Sequence, residues 1–215
     1  MSALIQPTVR VVTCTPDPEG VIAHAARTCY DSLDRSTPER DAALIRDAIR
    51  RGHESILEHA AVTFEITGSR VLTHELVRHR IAAYSQRSQR FVNESEPSYF
   101  LPPEIAELAA NDTSEWTVIN EFETAMDEAW GAYRALLKKG VPKQIARYVL
   151  PNACLTTIVA TWNLREIRHV VRLRAAREAQ PEFQEVAREV LRLASEVAPN
   201  VFADLLEKVE IASGR

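Results

Sequence analysis

The chain has 215 residues, 46% of them hydrophobic and 26% charged, which provides enough apolar material to bury a sizeable core. Its net charge of -4 argues against a general nucleic-acid coat, because such proteins usually carry an overall basic field. No apolar run approaches the roughly 20 residues that a membrane span needs, and the N-terminus lacks the charged and apolar blocks of a signal peptide.

The first part of the chain alternates strand and helix patterns. Thr8 to Cys14 is rich in β-forming residues, and the period of two from Ala60 to Thr67 predicts a half-buried, antiparallel strand. Helical spacing predicts helices over Val21 to Tyr30 and over Glu39 to Arg51. After a turn at Gly68 and Ser69, a further helix is expected to run to about Ile81.

The second part is dominated by helical patterns. Asn93 to Asp112 is predicted to be the longest loop, followed by a long helix from Thr113 to Lys139 and a strand from Leu155 to Trp162. Other helices are predicted over Pro142 to Leu150, Leu164 to Ala176, Pro181 to Val197 and Phe202 to Ile211. Without repeats or linkers, the sequence predicts one α+β domain over residues 1–215, an antiparallel sheet with several long helices.

Two absences narrow the chemistry. The six glycines form neither GxGxxG nor GxxxxGK[ST], so that bound phosphates would need positive side chains, for which the planar fork of arginine is best suited. Cys14, Cys29 and Cys154 show no CxxC spacing and predict reduced thiols in a cytoplasmic protein.

A histidine-containing segment precedes the first long strand. His53 and His59 are six residues apart, so they would not share a helix face as the zinc motif requires, and no metal site is predicted. Spacing alone favours a polar turn here. The functional alternative is a loop that places His53, Ser55 and Glu58 at the edge of a pocket.

The densest basic segment begins at Arg78-His79-Arg80. Three consecutive helical residues sweep about 200° of the circumference, and His79 falls on the apolar side with Leu72 and Leu76. At least one of the three is therefore expected near the interior, where an anion or acceptor must satisfy it. The alternative is a solvated basic helix end, which the helix dipole favours.

Polar side chains continue from Ser85 to Phe91. Some of them both donate and accept hydrogen bonds, and the arginines only donate: Gln86, Arg87, Ser88, Gln89 and Arg90. This mixture suits a monophosphate together with a sugar or base edge. The alternative is an ordinary exposed loop.

A second basic cluster follows Asn163. Four basic side chains share one face of the predicted helix: Arg165, Arg168, His169 and Arg172. Arg174 falls instead on the apolar face, where a cation should be paired, unless the helix ends before it. Arg147 stands alone, and a surface salt bridge is its default interpretation.

Arg78-His79-Arg80, followed after seven residues by Ser88, is the signature pattern of the flavin-dependent thymidylate synthases, and the chain resembles that family. The resemblance extends, in the family's order, to His53-Glu54-Ser55, Glu58-His59, Ala146-Arg147-x-x-Leu150-Pro151, Asn163-x-Arg165 and Leu173-Arg174-Ala175. It implies FAD-dependent methylation of dUMP to dTMP, with methylenetetrahydrofolate as one-carbon donor and NADPH as reductant. It also implies a homotetramer whose active sites are shared between subunits.

The resemblance also implies roles for individual residues. FAD contacts are expected from Ser55, Arg78, His79, Arg80, Asn163, Arg165 and His169. Contacts to dUMP are expected from Glu75, Arg78, Gln86, Arg87, Ser88, Gln89, Arg90, Arg147 and Arg174. The resemblance further implies that Arg174 is the catalytic residue, which polarises the uracil ring, and that His53 lies near flavin and folate. The family often has glutamine, glutamate and asparagine where this chain has Glu75, Gln86 and His169.

Two other functions compete with this interpretation. One is a flavoprotein NADPH oxidoreductase that does not methylate dUMP, against which the presence of Ser88, Arg147 and Arg174 speaks. The other is an RNA-binding module. It is opposed by the net charge and by the sparse aromatic residues of the basic segment, where Tyr84 stands alone before Phe91. No nucleic-acid or membrane partner is therefore expected.

Overall fold

The computed structural model describes residues 2–4, 6–111, 113–114 and 117–213, which combine helices with an antiparallel sheet, as predicted. The strands are β1 (Ser2–Leu4), β2 (Thr8–Cys14), β3 (Ala61–Ser69), β4 (Ala82–Gln86), β5 (Ser98–Phe100) and β6 (Leu155–Asn163). Four of them form a sheet in the order β2-β3-β6-β4, and β1 pairs with β5 in parallel.

The register of β3 and β6 follows from two pairs of threonines. The hydroxyl groups of Thr63 and Thr161 lie 2.9 Å apart, and those of Thr67 and Thr157 lie 3.0 Å apart. Partner numbers rise along β3 and fall along β6, so the strands are antiparallel. Residues of the opposite parity, such as Phe64 on β3, are fully buried. The predicted alternation from Ala60 to Thr67 is therefore confirmed.

The helices are α1 (Pro18–Thr28), α2 (Pro38–Arg50), α3 (Arg70–Leu76), α4 (Pro103–Ala110), α5 (Val118–Lys138), α6 (Lys143–Ala146), α7 (Leu164–Arg174), α8 (Pro181–Val197) and α9 (Pro199–Ser213). Short 3-10 helices cover Leu33–Arg35, Glu54–His59 and Arg147–Val149. Gly52 and Gly140, with φ of 76° and 82°, follow α2 and α5 in the left-handed conformation that ends many helices. Among the residues described, no helix is long and apolar enough to cross a membrane.

The described residues form two compact units. One consists of residues within 1–8, 67–75 and 85–158, and its core includes Tyr99, Trp130 and Cys154. The other consists of residues within 9–66, 76–84 and 159–215, where α7, α8 and α9 pack around side chains such as Phe183 and Val190. That residues 1–215 form a single domain stays a prediction.

The largest differences from the predicted boundaries occur at three places. α3 ends at Leu76 instead of near Ile81, and the chain then enters β4 where a polar loop was expected. The stretch from Asn93 to Asp112 was predicted as a loop but contains β5 and α4, the latter begun by a proline at its first turn; Asp112 itself lies outside the described residues.

The third difference concerns the start of α5. The sequence predicted a start at Thr113, but the helix begins at Val118. The side chain of Asn120 accepts from the backbone N–H of Thr117 at 2.9 Å, and both halves of a capping box are present. This reciprocal cap satisfies the backbone N–H groups of Thr117 and Asn120, which is why the helix starts there.

Candidate active site

His79 is the centre of a cluster of basic and aromatic side chains in the unit that contains α7 and α8. It is 5% exposed, and its ring lies edge-on to the rings of His169 and Phe183, each at 5.8 Å between centroids. Arg174 donates from Nε to His79 Nε2 at 3.1 Å, and its guanidinium lies 4.9 Å from the Phe183 ring centre. The structure thus brings together three of the predicted site residues, His79, His169 and Arg174.

The prediction that one residue of Arg78-His79-Arg80 is held in the interior is confirmed, although its reason was wrong. These residues follow α3 instead of continuing it, with Arg78 in a turn and both arginines exposed. His79 is buried against the rings of His169 and Phe183. The predicted pairing of Arg174 is also confirmed, since α7 extends to Arg174 and its side chain reaches His79.

The environment of His79 keeps its imidazole neutral. Burial, followed by the positive charges of Arg174 and His169, lowers the pKa of His79 from 6.5 to about 4. Because Nε2 accepts a hydrogen bond from Arg174, the proton of the neutral ring is assigned to Nδ1, which lies 3.6 Å from a carboxylate oxygen of Glu166. Burial raises the pKa of Glu166.

His79, Glu166 and His169 also offer ligand atoms that lie within 4.8 Å of one another, as a metal site would require. A cation there would have to compete with the guanidinium of Arg174 for the imidazole of His79. A positively charged guanidinium group beside a neutral imidazole is better suited to an anionic or hydrogen-bonding ligand than to a metal ion.

The other residues predicted to bind FAD lie in the same unit. Asn163 caps α7: its side-chain oxygen accepts from the N–H of Glu166 at 2.8 Å. This bond uses only the oxygen of the side-chain amide and not its NH2 group. Arg165 is exposed and pairs with Glu58. Ser55 and His53 are exposed at the start of the 3-10 helix Glu54–His59. The roles of these residues in binding FAD and folate stay predictions.

Tyr84 fixes the segment that carries Arg78-His79-Arg80. Its hydroxyl lies 2.8 Å from the carbonyl oxygens of both Leu76 and His79, and it accepts from Trp162 Nε1 at 3.0 Å. Burial is the main reason that the pKa of Tyr84 is raised to about 12, so the hydroxyl stays protonated and can donate. No pattern in the sequence indicates this role for Tyr84.

We expect Tyr84→Phe to lower the free energy of unfolding by about 1–3 kcal/mol, because Trp162 Nε1 and two carbonyl groups lose their shared partner. Urea unfolding measures this loss. Tyr30→Phe is the matched control, since Tyr30 is 72% exposed and should show no change. Equal stability of both variants would contradict the assigned role of the hydroxyl group.

The pKa of His79 predicts a pH dependence of stability. As the pH falls below 6.5, the unfolded chain binds a proton that the folded His79 accepts only near pH 4, so stability is lost between these values. The loss from this group is at most about 3 kcal/mol. His79→Gln should flatten the dependence of unfolding free energy on pH over this range, whereas His24→Gln, at an exposed position, should not. Parallel curves for wild type and His79→Gln would refute the assignment.

The polar segment after β4 is held by side chains of the other unit, the one that contains α5. Gln86 donates to the hydroxyl groups of Thr73 and Thr156 at 3.0 and 3.3 Å. Ser88 begins a turn in which its hydroxyl accepts from the N–H of Arg90 at 3.2 Å. Gln89 is buried, with 6% exposed. The segment is therefore ordered by specific contacts instead of forming a loose exposed loop.

Arg87 is held at both its backbone and its side chain. Its guanidinium lies 3.0 Å from Glu94, and its carbonyl oxygen accepts from Arg70 at 3.2 Å. Glu94 is buried, and one of its oxygens has no partner within the part of the chain that is described, as is also true of one nitrogen each of Arg70 and Gln89. Buried groups of this kind normally find a partner, so they favour a polar ligand or water beside them.

The remaining nucleotide-site predictions lie in the same unit. Glu75 is half-buried on α3, Arg147 is half-buried in the 3-10 helix Arg147–Val149, and Arg90 donates to Gln144 at 3.2 Å. Sequence reasoning missed Arg70 and Glu94, because nothing in their spacing relates them to Arg87.

Cys154 lies close to this cluster but is not suited to nucleophilic attack. It is 3% exposed, and burial followed by the negative charge of Glu94 raises the pKa of its thiol to about 12. A thiol in this state is not ionised near neutral pH. Cys14 and Cys29 are also free thiols.

The chain is similar in sequence to known proteins. The sequence profile of the family described as thymidylate synthase complementing protein matches residues 10–200. The flavin-dependent thymidylate synthase of Geobacter sulfurreducens is 44% identical over 197 residues, 88% of this chain and 83% of that protein. The enzyme of Corynebacterium glutamicum is 41% identical and covers 86% of this chain and 79% of its own length.

A likeness in structure agrees with the likeness in sequence. The crystal structure of the UMP/dUMP methylase PolB from Streptomyces cacaoi, bound with 5-Br dUMP, matches with a TM-score of 0.82 over 94% of this chain and 96% of that chain. At 23% identity, this similarity shows the shared fold. The profile and the sequence relatives go further: the chain belongs to the flavin-dependent thymidylate synthase family.

Proposed function

We propose that this protein is an FAD-dependent thymidylate synthase that methylates dUMP to dTMP. Methylenetetrahydrofolate donates the one-carbon unit and becomes tetrahydrofolate, and NADPH supplies the two electrons that reduce the methylene group to methyl. The observation that carries the proposal is the pair formed by Arg174 and His79, which both belong to the motifs on which the family resemblance rests. Family membership at 44% identity supports it.

The donor set of the residues predicted to bind FAD fits a flavin. It combines guanidinium, imidazole and amide donors without a glycine-rich loop, so that side chains supply the charge which backbone amides supply elsewhere. When bound, FAD carries electrons from NADPH to the one-carbon unit. The residues proposed to hold it are Ser55, Arg78, His79, Arg80, Asn163, Arg165 and His169.

The residues of the chain also account for activation of the pyrimidine. Arg87, Arg90 and Arg147 supply positive charge for the monophosphate of dUMP, and Ser88 supplies a hydroxyl group. Arg174 is held by His79 and Phe183, so its charge is positioned before substrate binds. A positioned cation stabilises the negative charge that develops on the uracil ring, and no cysteine nucleophile is needed.

The oligomer belongs to the same proposal. A homotetramer with shared active sites is implied by the resemblance, and exposed apolar side chains beside Arg90 and Arg147 support a subunit contact there: Phe91 is 71% exposed and Tyr148 is 80% exposed. We place the protein in the cytoplasm, because its cysteines are free thiols.

Release of tritium from dUMP labelled at C5 tests the function. The purified protein, loaded with FAD and supplied with NADPH and methylenetetrahydrofolate, should release tritium and form dTMP in equal amounts. Oxidation of NADPH by the flavin-loaded protein without tritium release would instead establish the oxidoreductase alternative.

A further inference from the structure

Arg168 is a fully buried charge that the proposed chemistry does not use. It lies on α7 with 0% of its surface exposed, among the largest of the fully buried side chains. Burying a guanidinium costs several kcal/mol unless all its donors are satisfied. A buried guanidinium whose donors are satisfied holds its partners in one arrangement, so the partners of Arg168 indicate what it does.

The donors of Arg168 reach two different elements. Its two Nη atoms donate to the two carboxylate oxygens of Asp204 on α9, at 2.7 and 2.9 Å, and Nη1 also donates to the carbonyl oxygen of Val201. Nε donates to Glu54 at 3.3 Å. A single side chain thus joins α7 and α9 to the first residue of the 3-10 helix Glu54–His59.

Glu54 is held more firmly than by this bond alone. Arg172, one turn further along α7, donates to it at 2.6 and 3.3 Å. Burial alone would raise the pKa of Glu54, but the hydrogen bond from Arg172 and the charge of Arg168 bring it below its ordinary value. Glu54 therefore remains an anion at neutral pH and stays paired with both arginines.

A third ion pair belongs to the same row of arginines along α7. Arg165, one turn before Arg168, pairs with Glu58 at the other end of the 3-10 helix. Three basic residues that the sequence placed on one face of α7 thus bind the 3-10 helix at Glu54 and at Glu58. This row fixes the position of Ser55, which directly follows Glu54, and of His53, which directly precedes it.

We infer that Arg168 is a positioning residue for the flavin, acting through Glu54 to hold Ser55 and His53 where the cofactor binds. This inference rests on the proposed function. Arg168 itself makes no contact with the cofactor, because its donors are occupied by Glu54, Asp204 and Val201. Its effect on flavin binding is therefore indirect.

The affinity for FAD of two variants tests the inference. Arg168→Lys keeps the charge but cannot bridge Glu54 and Asp204 as a planar fork does. Glu54→Gln keeps Arg168 paired with Asp204 and is informative even if Arg168→Lys fails to fold. Both should weaken FAD binding, measured by quenching of flavin fluorescence well below the melting temperature, on the order of 10- to 100-fold.

Arg27→Lys is the matched control. Arg27 is also a buried arginine of the same unit, 6% exposed, but its guanidinium donates to Asp41 at 2.6 Å and to the carbonyl oxygen of Ser32 at 3.3 Å. This variant should lose stability but keep the wild-type dissociation constant for FAD. Equal weakening in Arg27→Lys would reduce Arg168 to a structural residue and overturn the inference.

A double-mutant cycle with Ser55→Ala separates positioning from general stability. If Glu54 acts through its neighbour, the effects of Glu54→Gln and Ser55→Ala on FAD affinity should be less than additive. Wild-type affinity in Glu54→Gln, or full additivity, would overturn the inference. Failure of the wild-type protein to bind FAD at all would instead refute the proposed function.

Discussion

Arg174→Ala is expected to form dTMP on the order of 10²- to 10³-fold more slowly than the wild type, because the charge that stabilises the developing anion of the uracil ring is lost. FAD binding should change little, since the proposed flavin contacts come from other side chains. Single-turnover formation of dTMP by flavin-loaded protein measures the loss. A full rate in the variant would remove Arg174 from the catalytic role.

Two further variants make the result specific. Arg174→Lys retains a charge but loses the planar group that both reaches His79 Nε2 and lies over Phe183, so it should recover only part of the rate. Arg177→Ala removes an exposed arginine three residues later, beyond the end of α7, and should have wild-type activity.

Arg174→Ala should also alter the titration of His79. The charge of Arg174 is, after burial, the next cause of the lowered pKa of His79. Its removal should raise this pKa from about 4 towards the ordinary value of 6.5 without reaching it, because burial remains. NMR titration of the imidazole of His79 measures the shift. An unchanged pKa would show that the contact at 3.1 Å is not maintained in solution.

Arg87→Ala is expected to weaken dUMP binding about 10- to 100-fold, the equivalent of one charge-assisted hydrogen bond. It should also lower the free energy of unfolding by about 1–3 kcal/mol, because Glu94 is left buried without this partner. The value lies below that of a fully buried pair, since the side chain of Arg87 is 37% exposed. Equilibrium binding of dUMP and urea unfolding measure the two effects.

Arg90→Ala is the control that separates them. Arg90 is exposed and contacts Gln144 and the ring of Phe91, and its removal leaves no carboxylate unpaired among the residues that the structure describes. We therefore expect weaker dUMP binding with unchanged stability. If Arg87→Ala proved as stable as Arg90→Ala, the pairing of Arg87 with Glu94 would not contribute to the stability of the fold.

Long periodic segments were predictable because their burial repeats with a fixed period. β2 and α8 have the predicted bounds, and β6 extends one residue beyond them at Asn163, whose side chain caps α7. Boundaries set by contacts between side chain and backbone were not predictable. α3 ends early and α5 begins late because Tyr84 and Asn120 satisfy backbone groups there.

The sequence alone determined the class of fold, the motif Arg78-His79-Arg80 with Ser88, and the need for arginines in a chain without a phosphate-binding glycine loop. Only the tertiary structure decided which charges are buried and with what they pair. Arg168 looked like its neighbours Arg165 and Arg172 on one helix face, yet it alone is fully enclosed, because α9 covers it and supplies Asp204. The free energy of a buried charge depends on partners distant in sequence, and no local pattern records them.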